Sequence, residues 1–138
     1  MNERGQTTVL VLGMALLAFA LAGLAVDGTR AWLYRRTLQN AADAAALAGA
    51  GEVDRAAYYE SGGARIVLDE TSSEETAARW STSRVPGARA TVDSSPDRVT
   101  VEMRGTVPTT FLSLAGIERI EVAVRADAAP IPGSSPQN

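Results

Sequence analysis

The chain of 138 residues contains no histidine, no cysteine and no lysine. Without histidine it lacks the imidazole base of a Ser/His/Asp triad and the commonest metal ligand. Without cysteine it has no thiolate nucleophile, no disulfide and no thiolate zinc site. All 13 basic residues are arginines and the formal net charge is −3, so the chain carries no basic footprint for nucleic acid. We therefore expect neither an enzyme nor a nucleic-acid-binding protein.

Few of the remaining residues could support catalysis or phosphate binding. No glycine-rich phosphate loop follows a predicted strand. The acidic pairs Asp69-Glu70 and Glu74-Glu75 have the right type for acid–base catalysis. Both pairs lie beside predicted helix boundaries, where carboxylates favour the helix dipole. We predict no catalytic, cofactor or metal site and no small-molecule substrate; a hydrolase that uses Asp69 and Glu75 is a remote alternative.

Charge is absent from the run between Gly5 and Val26. Within it, residues 7–26 would form a helix of about 30 Å, the thickness of the hydrocarbon layer of a bilayer. Its large apolar side chains are placed all round the helix, so no polar face remains. We predict a short tail at residues 1–6, then a single transmembrane helix at residues 7–26. The lipid bilayer is the expected partner, and the cell membrane is the expected location.

Two alternatives for this segment stay open. A cleavable signal peptide would end at a small-x-small site such as Ala20-Leu21-Ala22 and would release a secreted or anchored binding or adhesin domain. The arginines that follow the span outnumber Arg4 before it, which by charge counting places the C-terminal side in the cytoplasm. A short N-terminal tail before a long domain equally fits export of that domain.

Small residues recur along the predicted helix, which we expect to continue outside the membrane over residues 27–60. We define the helix-packing seam as Gly13, Ala18, Ala22, Leu38, Ala41, Ala45 and Ala48. In the span, small residues four apart permit close approach between membrane helices. Beyond it, Tyr34 and the seam residues that follow it have a 4-3-4-3 spacing, which marks one face of a helix. Packing against neighbouring subunits and a simple abundance of alanine explain the span residues equally well.

The remainder, residues 61–129, is predicted to be a small α+β domain. Apolar and polar residues alternate over residues 88–93, 99–104 and 120–125, which is typical of strands with one buried face. A three-stranded antiparallel sheet needs a cover, and the alanine-rich helix is the obvious one. The fold class is therefore α+β, with a long N-terminal helix packed on a small antiparallel sheet. The tail at residues 130–138 is predicted to be disordered.

The segment from Arg4 to Ala50 resembles the N-terminal region of TadE/TadG-like pilus-assembly proteins. The resemblance rests on Arg4-Gly5 before the span, on Gly23-x-x-Val26-Asp27 at its exit and on the run LQNAADAAALA at residues 38–48. Residues 107–117 also look like the C-terminal part of short members. The family implies a membrane-anchored component of Tad pilus assembly, similar to a minor pilin or pseudopilin. It implies other pilus-assembly or pilin subunits as partners, and an extracytoplasmic C-terminal domain.

Pilins of this class are cut after a glycine by a prepilin peptidase, with a glutamate five residues into the mature chain. By resemblance, Gly5 and Gln6 flank such a processing site. Leu10 stands at the position of the glutamate. A protein that keeps its N-terminus and stays in the membrane as an accessory is therefore at least as well supported as a processed filament subunit.

Overall fold

The computed structural model describes the backbone of residues 3–130 and the side chains of residues 6–130. The long helix and the three-stranded antiparallel sheet confirm the predicted α+β class. In chain order the elements are α1 (Glu3–Ala50), α2 (Arg55–Glu60), α3 (Glu70–Arg84), β1 (Arg89–Ser95), β2 (Arg98–Pro108), a 3-10 helix (Leu112–Ala115) and β3 (Arg119–Ala128). Apart from residue 130, the tail predicted to be disordered lies outside the described residues.

The chain forms two compact units, to which α1 contributes successive parts. Unit 1 comprises Met1–Tyr34 and Thr106–Ile120. Unit 2 comprises Arg35–Gly105 and Glu121–Asn138. Each unit has a different physical character, since unit 1 contains the apolar run of α1 and unit 2 contains most of the sheet.

The structure ends α1 earlier than the predicted helix over residues 27–60. The helix stops at Ala50, and the N–H of Gly51 turns back to the carbonyl of Ala48. A separate helix, α2, then begins because the side chain of Asp54 accepts a hydrogen bond from the N–H of Ala57 at 3.1 Å. This side chain is an ordinary N-cap, which satisfies an amide that a helix start leaves free.

The core of unit 2 lies between the alanine-rich part of α1 and one face of the sheet. The strand order is β1-β2-β3, and β1 pairs antiparallel with β2, with Val92 opposite Val101. On α1 the buried residues are Leu38, Ala41, Ala42, Ala45, Ala46 and Ala50. On the central and third strands they are Val99, Val101, Met103, Val122, Val124 and Ala126. The alternation predicted for these strands is confirmed, because these apolar positions are buried while their neighbours are more exposed.

Candidate functional site: a loop held against the apolar helix

In unit 1, a loop of residues 109–118 joins β2 to β3, and we call it the 109–118 loop. The N–H of Thr109 donates to the carbonyl of Glu118 at 3.0 Å, which closes the base of the loop. Its tip is the 3-10 helix Leu112–Ala115, which ends at Gly116. Gly116 has a φ of 85°, a left-handed conformation that favours glycine and stops the helix there.

The carboxylate of Asp27 on α1 binds this loop at the N-terminal end of its 3-10 helix. Its Oδ1 accepts a hydrogen bond from the N–H of Thr110 at 2.9 Å. Its Oδ2 accepts one from Phe111 and one from Leu112, both at 2.8 Å. The side chain is buried, with 1% of the residue exposed, and it satisfies three amides that would otherwise have no helical acceptor. One carboxylate therefore fixes the position of the loop on α1.

These hydrogen bonds also stabilise the charged form of Asp27, which lies one residue beyond the predicted span. The N–H of Leu112 contributes most to lowering the pKa of this carboxyl below its ordinary value. Burial acts in the opposite direction, while the amides of Thr110 and Phe111 and the nearby Arg30 guanidinium add to the lowering. A carboxylate that accepts several backbone N–H bonds is expected to behave in this way.

Acid is expected to release the loop from Asp27. Because the folded-state pKa is lowered, the stabilisation is fully present above the unfolded-state pKa and is lost as the pH falls through the lowered value. A spin label attached to a Leu114→Cys variant should therefore gain mobility in acid, below about pH 4. The same label in an Asp27→Asn background should show no such step. An identical acid transition in both backgrounds would contradict the assignment to Asp27.

The ring of Phe111 packs onto α1 on the N-terminal side of Asp27, over the two helical turns that contain Gly23 and Phe19. This ring lies edge-to-face on Phe19, with 5.5 Å between the ring centroids. Gly23 is buried beneath it: a Cβ built on this glycine would lie 2.5 Å from the Cβ of Phe111. Only a residue without a side chain permits this approach. Gly23 thus serves the loop of its own chain.

An apolar groove of about 310 Å³ lies between the loop and α1. Its lining residues are all apolar, and they are Leu16, Phe19, Ala20, Leu24, Phe111, Leu112, Leu114 and Ala115. At the loop tip, Leu114 is 80% exposed. No polar side chain lines the groove, so its chemistry is that of a surface for apolar chains.

The helix-packing seam divides between the two units. In unit 1, Gly13, Ala18 and Ala22 are exposed. In unit 2, Leu38, Ala41 and Ala45 are buried in the core of their own chain and Ala48 is half-buried. The peptide between Gly5 and Gln6 lies within α1, although side chains before Gln6 fall outside those described. Only the seam residues of the apolar run therefore remain accessible to a partner.

The acidic pairs weighed as catalytic candidates have local roles. The Asp69 side chain caps α3 by accepting from the N–H of Ser72 at 3.1 Å. Glu75 lies 3.8 Å from Arg79 one turn later, in an exposed ion pair. Within residues 3–130, no three acidic side chains lie close enough together to hold a metal ion. Nothing in these contacts poises a carboxylate for proton transfer.

Sequence reasoning missed the central role of Asp27 and Gly23. Although Thr109 and Thr110 precede the 3-10 helix, it has no side-chain cap of its own and takes its acceptor from α1. The available signal was an acidic residue at the end of an apolar run, four positions after a glycine. That signal does not identify a partner more than 80 residues away in the chain.

Comparison with known proteins gives one match. Residues 5–52 match the family model described as "Putative Flp pilus-assembly TadE/G-like". No curated protein and no solved structure matches the chain. The match contains Gly23, Asp27 and the alanine-rich run, and it ends before the 109–118 loop. The resemblance drawn from the sequence is confirmed over this region, as a match of residues 5–52 to the TadE/G-like family model.

Proposed function

We propose that the protein is a single-pass, membrane-anchored component of Tad-type pilus assembly, similar to a minor pilin or pseudopilin. The match of residues 5–52 to the TadE/G-like family model supports the assignment to this machinery. The observation that carries the anchoring role is the exposure of the apolar part of α1. Large apolar side chains from Val9 to Leu24 are between 52% and 72% exposed, which water would disfavour. Within the described chain, one helix is long and apolar enough to cross a membrane.

The loop contacts support retention of the anchor over its removal as a signal peptide. Cleavage after Ala22 would remove Phe19, on which the Phe111 ring packs. It would also remove Leu16 and Ala20 from the groove. A released domain would then expose the apolar residues of the 109–118 loop. We therefore favour the anchored component over a secreted adhesin or binding domain.

Partners are expected to contact the exposed small residues of the apolar run. Gly13, Ala18 and Ala22 are exposed and offer a thin helix face. In this proposal the neighbouring helices belong to other pilus-assembly or pilin subunits. The C-terminal domain would then lie outside the cytoplasm, as the family resemblance implies. The protein acts through helix packing and protein–protein contacts, with no catalytic step.

N-terminal sequencing of protein extracted from membranes tests the proposal. A start at Met1 is expected for a retained anchor, and a start at Gln6 is expected if a prepilin peptidase cuts after Gly5. Either result, with the protein in the membrane fraction, leaves the apolar run intact. A start near Gly23 would support the secreted alternative. Recovery of the full-length chain in the soluble fraction would overturn the anchoring role.

A further inference from the structure

We propose that the 109–118 loop is a second membrane contact, with its tip embedded in the hydrocarbon of the leaflet at the C-terminal side of the span. The inference rests on the proposed anchoring of α1. The loop packs against the same part of the helix that crosses the bilayer. Its contacts on α1 run from Leu24 back to Leu16, a distance of about 12 Å along the helix axis. That depth lies within one leaflet of the hydrocarbon layer, which is about 15 Å thick.

Backbone N–H groups in or beside hydrocarbon must find hydrogen-bond acceptors within the protein. For this loop, the acceptors come from α1 and from the loop itself. Asp27 accepts hydrogen bonds from the N–H groups of Thr110, Phe111 and Leu112. Carbonyl groups of the loop itself accept the amides of Thr109, Leu114, Gly116 and Ile117. The loop therefore needs little water to satisfy its backbone, in contrast to an ordinary surface loop.

The three hydroxyl groups of the loop are also hydrogen-bonded. The hydroxyl of Thr109 donates to the carbonyl of Ile117, and that of Ser113 donates to the carbonyl of Thr110 at 2.7 Å. The hydroxyl of Thr110 accepts from the guanidinium of Arg30 at 2.8 Å. Arg30 follows the span, where a long basic side chain reaches the headgroup region while its stem lies along apolar surface. No hydroxyl of the loop is left to be desolvated without a partner.

Two apolar side chains of the loop, Leu114 and Ile117, are exposed rather than packed on the protein. Leu114 is 80% exposed and Ile117 is 48% exposed. They extend the exposed apolar surface of α1, and the groove between loop and helix is lined by apolar residues alone. Because this surface is continuous with the lipid-facing side of the span, acyl chains are the occupant that we assign to it. A second protein chain over the loop is the alternative outcome of the test.

Single-cysteine spin labelling distinguishes these outcomes, since the chain has no cysteine of its own. The full-length protein is placed in vesicles of phosphatidylcholine and phosphatidylglycerol, with a nitroxide at Leu114→Cys, Leu17→Cys or Thr91→Cys in turn. Leu17 is an exposed residue of the span, and Thr91 is exposed on β1. Collision rates with oxygen report lipid, while those with a water-soluble nickel chelate report water. Ile117→Cys is a second loop site should labelling at Leu114 disturb the fold.

The label at Leu114 is expected to behave like that at Leu17. Its ratio of oxygen to nickel collisions should exceed the ratio at Thr91 by about tenfold, because oxygen concentrates in hydrocarbon and the chelate does not enter it. Frequent collisions of the nickel chelate with the label at Leu114, but not with that at Leu17, would show that the loop lies in water. That result would overturn the insertion of the loop and leave the membrane anchoring of α1 intact. Low collision rates with both reagents at Leu114 would show that protein covers the loop, which also overturns it. Nickel access at Leu17 would overturn the anchor, and the inference with it.

Discussion

Replacing Asp27 with alanine is expected to raise the hydrogen-exchange rates of the Thr110, Phe111 and Leu112 amides by about 100-fold or more. The carboxylate accepts a hydrogen bond from each of these N–H groups, and α1 offers them no other acceptor in its place. Charge-assisted bonds are stronger than neutral ones, and three of them are lost together. Exchange measured by mass spectrometry on the detergent-solubilised full chain checks the prediction.

Two variants make this test specific. Asp27→Asn keeps one acceptor oxygen and is expected to give a smaller rise, about tenfold. Asp43→Ala removes an exposed carboxylate that accepts a hydrogen bond from the Gln39 side chain on the same helix, and it should leave exchange in the loop unchanged. If Asp27→Ala and Asp43→Ala leave the loop amides equally protected, Asp27 does not hold the loop.

Replacing Gly23 with valine is expected to displace Phe111 and to loosen the loop by about 10-fold to 100-fold in the same exchange measurement. A Cβ at this position would come within 2.5 Å of the Phe111 Cβ and 2.7 Å of its Cγ. These atoms lie near the backbone of Phe111, so a change in side-chain rotamer alone does not relieve the clash. The loop itself must move away from α1.

Gly13→Val is the matched control for this prediction. Gly13 lies in the same apolar run, and a Cβ there would meet no atom within 4 Å. Its effect on loop exchange is expected to be negligible. Combining Gly23→Val with Phe111→Gly removes both the Cβ and the ring that would clash, so the two changes should be non-additive. Equal loosening by Gly13→Val and Gly23→Val would instead point to a general effect on the helix.

The periodic patterns determined much of unit 2 in advance. The alternation around Val101 and Val124 predicted strands with one buried face, because a strand turns successive side chains to opposite sides. The stripe containing Leu38 and Ala45 predicted the buried face of α1. The break after Ala50 was less visible, since Gly49 and Gly51 fall in a segment with good helix formers on both sides.

By itself, the sequence determined the long apolar helix, the α+β class and the resemblance of residues 5–52 to TadE/G-like proteins. Each of these rests on a local pattern or on a contiguous motif. The tertiary structure alone decided what Asp27 and Gly23 do. Their partners lie more than 80 residues away, and neither a lone carboxylate nor a lone glycine carries a periodic signal. Only the folded chain places a carboxylate under three amides and a glycine under a ring, and so shows that the 109–118 loop lies along the apolar helix.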